Sequence, residues 1–192
     1  MLNQFRAPLA MVAAMTALTG LAYPLALTGI ARVLAPDAAN GSLIERDGAP
    51  VGSRLIAQDF AGNAYLHPRP SAAGFAAMPS GASNLGPTSA SLRAEVANRR
   101  GAWESANGGA APIDAVTASG SGLDPDISPR NALGQAARIA AARGVTVDEV
   151  TRIIAARTEG RWLGLYGQPR VNVLLTNLAL DAALPVRPAG TD

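Results

Sequence analysis

The sequence predicts one transmembrane helix followed by a single α+β domain with a small sheet and about four helices. Three observations lead there. No charged residue lies between Arg6 and Arg32. An Asp47-Gly48 pair separates two short β-like runs. Beyond Ala90, segments bounded by helix caps dominate. Residues 1–34 read as an anchor, 35–186 as one soluble domain and 187–192 as a loose tail.

Ala7–Ala31 sets the organisation. As a helix its 25 residues rise about 1.5 Å each, enough for a hydrocarbon core of about 30 Å. A cleaved secretory signal is the rival reading, with Gly20-Leu21-Ala22 as its small-x-small site, but the apolar run continues to Ala31. The helix is rich in Ala and Thr, and small residues recur four apart: Ala10 and Ala14, Thr16 and Gly20, Ala22 and Ala26. That spacing suits close packing against other membrane helices. Pro24 lacks an amide donor and crowds the Gly20 carbonyl, which predicts a kink. Flanking charge is nearly balanced: Arg6 on one side, Arg32 and Arg46 with Asp37, Glu45 and Asp47 on the other. A short tail kept inside, with the domain exported, is the simpler topology.

Composition excludes several classes. All 16 basic residues are arginines, so a P-loop lysine and Schiff-base chemistry are both absent. There is no cysteine and one histidine, which removes thiolate zinc sites and His-rich metal sites. A net charge of +2 without a basic cluster argues against nucleic acid.

The elements follow in order. Leu43–Arg46 and Val51–Ile56 are predicted strands of a hairpin turning at Asp47-Gly48. Prolines at 68 and 70 force His67 and Arg69 into extended conformations. Either these two side chains and Tyr65 contact a partner or an anion, or the segment is a rigid loop bonded to its own backbone. Pro79–Ser91, with Ser83 and Asn84, reads as loop. A helix over about Ala90–Asn107 carries a Glu95–Arg99 pair, with Arg93, Arg100 and Glu104 on a solvated face. Pro112–Ala118 is a predicted strand, contributing an Ile113 strand to the sheet. Ser128 caps a helix that begins with Pro129 and runs to Ala142, closed by Arg143-Gly144. Thr146 to Glu149 is a capping box for a helix with Val147, Val150 and Ile154 buried. Gly160–Arg170 is rich in turns. Val171 ends a strand, Asn172 caps, and a broadly buried helix runs to Leu184.

Candidate chemistry is sparse. Ser83, Ser119 and Ser121 lie near glycines but in no G-x-S-x-G elbow. A hydrolase would need His67 as its base. Asp124 and Asp126 could hold a cation, but their spacing is not that of an EF-hand, and helix capping is the simpler role. Gly120 and Gly122 do not extend into G-x-G-x-x-G. No catalytic, cofactor-binding or metal residue is therefore assigned. Gly20, Pro24, His67, Arg69, Ser83, Asn84, Ser119, Ser121, Gly122, Asp124 and Asn172 are candidates for partner contact or loop architecture.

Six stretches occur in a telling order: Asn40–Ile44; Gly52–Ile56 with Gln58 and Phe60; His67–Ala72; Ser83–Thr88; Val116–Pro129 with Gln135; and Arg170–Val173 with Asn177, Leu180 and Asp181. Together they resemble the C subunit of the Kdp-type potassium-transporting ATPase of bacteria, over nearly the full chain. Ala57, Leu66, Ala82 and Ser89 depart from that family's usual residues. The resemblance implies an accessory subunit of an ATP-driven potassium pump in the inner membrane. Its N-terminus would be cytoplasmic and its domain periplasmic, and it would not be an enzyme alone. The implied partners are a channel-like potassium-binding subunit, a P-type ATPase subunit and a small single-helix subunit; ATP and potassium would be handled by the complex, with no cofactor bound by this chain alone. The implied role is assembly, together with raising the ATPase subunit's affinity for ATP. An exported domain could do this only indirectly, as coupling between sites. A gate or filter for potassium at the outer mouth, and a membrane-anchored hydrolase using His67, are the alternatives.

Overall fold

The computed structural model of the chain describes residues 2–186, with side chains from residue 4 onward. The predicted tail, 187–192, lies outside the described residues. The chain forms two compact units divided after Ser53.

The N-terminal unit is dominated by one continuous helical run, Gln4–Leu34, whose 31 residues are long and apolar enough to cross a membrane. It lies within three consecutive elements: α1 (Leu2–Met15), a π-helical stretch (Thr16–Ala22) and α2 (Tyr23–Leu34). The π stretch lies just before Pro24, where the sequence predicts a kink. Proline cannot donate to the Gly20 carbonyl, and the Tyr23 amide beside it bonds the Leu18 carbonyl instead. The wider turn thus absorbs the missing donor. Thr19 adds a side-chain bond to the Met15 carbonyl at 2.7 Å. The small residues of the four-apart pairs are all exposed within this chain.

A short turn, α3 (Pro36–Ala39), leads to the hairpin β1 (Leu43–Arg46) and β2 (Ala49–Ser53). Asp47 and Gly48 carry φ of 55° and 76°, the left-handed pair of a tight hairpin turn. The second strand starts earlier and ends earlier than predicted: it closes at Ser53, which pairs with Leu43 while its hydroxyl donates to the Gly41 carbonyl at 2.7 Å.

The second unit contains α4 (Ala90–Asn107), α5 (Ile113–Val116), β3 (Asp126–Ile127), α6 (Pro129–Gly134), α7 (Ala136–Arg143), α8 (Val147–Ala156), β4 (Thr158–Glu159), β5 (Arg170–Asn172) and α9 (Val173–Ala183). Four of these helices have eight residues or more: α4, α7, α8 and α9. The sheet is small and antiparallel, in the order β3-β5-β4. The core gathers Leu66, Ile127, Ile139, Val150, Ile154, Val171 and Leu180.

Three expectations are corrected. Ile113 is not in a strand; it opens a helical turn and is 82% exposed. The turn aims Asp114 at the next helix, where its carboxylate accepts from the Ser128 amide (2.7 Å), the Ser128 hydroxyl (3.0 Å) and Asn131 Nδ2 (3.1 Å). A flat strand would place a β-branched residue well but lose that clamp. The helix predicted from Pro129 to Ala142 is two helices that break at Gln135, whose side chain is committed to the neighbouring loop. Val147 is exposed, not buried; as the first residue of α8 it precedes the turn that enters the core.

The predicted caps stand where expected. Ser128 accepts from the Asn131 amide, Thr146 and Glu149 form the reciprocal capping box, and Asn172 accepts from the Leu175 amide. Gly144 adopts the left-handed conformation that closes α7. At Gly134 a Cβ would lie 2.9 Å from the Trp103 ring, so glycine lets α4 approach α6.

Candidate functional site

The polar loops of the second unit converge on the extended segment 65–71. Two proline rings stiffen it, but proline also removes amide donors, so it cannot join a sheet as a regular strand. Side chains supply the missing ladder. Asn177 on α9 accepts from the Leu66 amide (2.7 Å) and donates to the Leu66 carbonyl (3.0 Å). Gln135 does the same for His67: it accepts from its amide at 2.8 Å and donates to its carbonyl at 3.1 Å. Each primary amide thus imitates one rung of a β-ladder. Gln135 also donates to Asn131 Oδ1 at 2.8 Å, which ties the segment to the Asp114 clamp.

Two arginines complete the frame. Arg138 donates to Gln135 Oε1 (2.7 Å), the Tyr65 carbonyl (3.1 Å), the Asn63 carbonyl (2.8 Å) and Asn107 Oδ1 (3.0 Å). Arg143 has a fully buried side chain and pairs with Asp181 at 2.9 Å. It also donates to the carbonyls of Ala64, Leu180 and Leu184.

The sequence-predicted site residues fall into this scheme as follows. His67 directs Nε2 to the Gly62 carbonyl (3.0 Å), with Arg138 3.4 Å away. Arg69 pairs with Asp124 at 2.7 Å. Ser119 accepts from the amides of Gly122 and Asp124, and its hydroxyl meets that of Ser121 at 3.1 Å. Its own amide donates to the Pro70 carbonyl at 2.8 Å. Ser71 donates to the Gly122 carbonyl at 2.7 Å. Gly122 has φ of +75°, and a Cβ there would lie 2.9 Å from the Gly81 carbonyl oxygen. The glycine turn therefore packs directly against the 70s and 80s loops. Asn172 donates to the Arg54 carbonyl and to Asp126. Ser83 is half-buried in the long loop, followed by Asn84 in a left-handed conformation.

The chemistry of these groups is structural. The Ser119 and Ser121 hydroxyls are committed to the glycine turn, and the His67 ring to Gly62 and Arg138, so no nucleophile–base pair forms from them. Asp124 is held by Arg69 and by the Asp126 amide, and Asp126 by Asn172 and Arg170. Among the described residues no group of three or more His, Asp or Glu is placed to hold a metal. An open cavity of about 340 Å³ lies between α4 and the His67 segment, lined by His67, Pro68, Arg99, Trp103 and Asn131 among others. Its cation, the part-buried Arg99, is already paired with Glu95 at 2.7 Å.

Burial lowers the pKa of His67 below its ordinary 6.5, and the Arg138 charge acts in the same direction; the Gly62 carbonyl and Asp59 oppose them. In the unfolded chain the ring takes up a proton more readily than in the folded one. Stability is therefore fully present above about pH 6.5 and is lost as pH falls toward the depressed folded value. Thermal melts between about pH 7.5 and about pH 5.5 should show a falling midpoint, and His67→Gln should flatten that fall. An unchanged slope in the variant would place the titration elsewhere.

Sequence reasoning assigned no role to Arg138, gave Arg143 only its place in the closing pair with Gly144, and noted Gln135 and Asn177 only within the stretches that carry the family resemblance. The available signal was a polar residue on a helix face otherwise buried: Asn177 shares its face with Val173, Leu174 and Leu180. Arg143 was hidden by its position beside Gly144, where an arginine is an ordinary C-terminal residue.

A single spanning-length helix followed by an α+β unit with side-chain-laced loops defines a class: small proteins with one candidate membrane helix whose polar residues hold loops in fixed shapes. The family model described as K+-transporting ATPase, c chain (KdpC) matches residues 5–182. The "Potassium-transporting ATPase KdpC subunit" of Cereibacter sphaeroides is 62% identical over 183 residues, covering 95% of this chain and 99% of that protein. The KdpC subunit of Rhodospirillum rubrum is 55% identical over 191 residues, covering 97% and 99%. That of Gemmatimonas aurantiaca is 50% identical over 194 residues, covering 98% of each. The chain belongs to the KdpC family of potassium-transporting ATPase subunits.

Proposed function

We propose that this chain is the accessory subunit of an ATP-driven potassium uptake pump, anchored in the inner membrane by Gln4–Leu34 with its N-terminus cytoplasmic and its domain outside. The observation that carries this reading is the family match across residues 5–182. In this role the chain supports assembly with a channel-like potassium-binding subunit, a P-type ATPase subunit and a small single-helix subunit. It raises the ATPase subunit's affinity for ATP without touching the nucleotide. The indirect route is favoured by the absence of lysine, and it requires a coupling free energy carried through the membrane helix or the partner subunits.

The test is to purify the pump with and without this chain and titrate potassium-stimulated ATP hydrolysis against ATP. Coupling of ordinary size would raise the ATP concentration needed for half-maximal rate at least about fivefold when the chain is missing. An unchanged ATP dependence in an intact remaining complex would remove the affinity role.

The helix offers a second test. A Cβ at Gly20 would meet only Thr16 Cγ2, at an ordinary 3.8 Å, so Gly20→Leu is tolerated by the helix itself. If the small-residue face packs on partner helices, Gly20→Leu should lower copurification of the pump subunits severalfold while leaving the chain's own yield unchanged. Equal recovery would show that this face is not the contact.

A further inference from the structure

The loop joining β4 to β5 holds large apolar side chains in water. Trp162, Leu163, Leu165 and Tyr166 are 69%, 72%, 75% and 66% exposed. The loop is nonetheless built to one shape. Trp162 and Tyr166 exchange backbone bonds, N–H to O at 2.9 Å and 3.0 Å, and their ring centroids lie 6.0 Å apart. Arg161 bridges to Gln168 at the base, 3.3 Å. Leu163 holds a left-handed φ of 51°, a conformation that is sterically strained for a leucine. The backbone thus accepts strain while all four side chains remain outside the core. A contiguous apolar patch of this kind marks an interaction site, and Trp and Tyr are the residues that dominate such contacts.

Two kinds of surface could receive the loop, and its backbone distinguishes them. Among the described residues the carbonyls of Leu163, Gly164 and Leu165 accept no backbone hydrogen bond. In hydrocarbon each would remain unsatisfied, which lipid-exposed irregular backbone does not tolerate; a protein surface can donate to them. The charge around the base adds a second criterion. Arg170 is engaged by Glu159 and Asp126, while Arg157 and Arg161, both exposed and flanking β4, put positive charge at the base of the loop. We infer that residues 161–168 plug into an apolar pocket rimmed by carboxylates on another subunit of the same pump. This inference rests on the subunit role proposed above.

The experiment uses the full chain, tagged and coexpressed with the complete pump in membranes. A photo-crosslinking amino acid replaces Leu165, and the same probe at Ile113, also exposed, gives the background. The expected result is a crosslink from position 165 to a pump subunit, identified by mass spectrometry and several times above that background. The double substitution Trp162→Ser with Leu165→Ser should lower recovery of partner subunits about tenfold without changing the chain's own melting. Crosslinks only to lipid, or only to a second copy of this chain, would overturn the inference. So would intact copurification with no crosslink from 165, or recovery of the double variant within about twofold of the parent. If the unsubstituted chain copurifies no ATPase subunit, the subunit role itself fails and the inference falls with it.

Discussion

Arg143→Ala is expected to destabilise the second unit by roughly 3–5 kcal/mol, the range for breaking a buried ion pair by removing one partner. Arg143 is in effect the internal post of this fold. Its side chain is fully buried, pairs with Asp181, donates to three carbonyls from two segments of the chain and lies 5.1 Å from the centre of the Tyr65 ring. Truncation takes this donor from the Ala64, Leu180 and Leu184 carbonyls and removes a buried positive charge from beside Asp181. Arg143→Lys should rescue little, because one ammonium cannot replace a planar fork that donates in several directions at once. Denaturant unfolding of the detergent-solubilised chain, followed by tryptophan fluorescence, measures both variants. A loss below about 1 kcal/mol in each would mean that water or a shifted backbone takes over these bonds.

Asn177→Leu should cost about 3 kcal/mol even though the side chains are similar in size. The loss is not a cavity but two orphaned groups: the amide and carbonyl of Leu66, a residue with no exposed surface, each carrying a penalty of about 1–3 kcal/mol when left buried and unpaired. The expected signature is local as well as global. Exchange of the Leu66 amide hydrogen should accelerate more than that of the α8 amides, because the 65–71 segment loses one of its two rungs while α8 keeps all its bonds. Asn177→Asp would bury an unpaired carboxylate with one oxygen against the Leu66 carbonyl, in a site 1% exposed, so at neutral pH it should cost at least as much as the leucine variant. Equal stability of Asn177→Leu and the parent would show that the Gln135 rung and the arginine contacts hold the segment without Asn177.

Both predictions concern residues whose importance is invisible to local pattern. Asn177 sits in the run Leu174-Leu175-Thr176-Asn177-Leu178, where helix periodicity identifies a buried face but not what a buried amide bonds to. Its partner, Leu66, is 111 residues away. Gln135 likewise breaks a helix that propensity carries straight through Gly134 to Ala142. The sequence reading of Pro112–Ala118 as a strand failed for the same reason: Ile113, Val116 and Thr117 favour extended backbone locally, and the deciding interaction is the Asp114 clamp on Ser128 and Asn131, known only once two segments meet.

The sequence by itself determined what depends on neighbours a few residues apart. The spanning length of the N-terminal helix, the Asp47-Gly48 turn, the caps at Ser128, Thr146 and Asn172 and the closing Gly144 all rest on near-neighbour sterics and hydrogen bonds. The order of the loop stretches was enough to indicate the family. The tertiary structure decided where the polar residues of those loops spend their bonds. His67, Arg69, Ser119 and Asp124, legible as candidates for contact, became supports for one another. Arg143 and Asn177, legible only as helix residues, became the partners of a segment that proline bars from a regular sheet. A buried donor or acceptor must be matched by some group in the fold, and over separations of tens of residues only the folded arrangement settles which one.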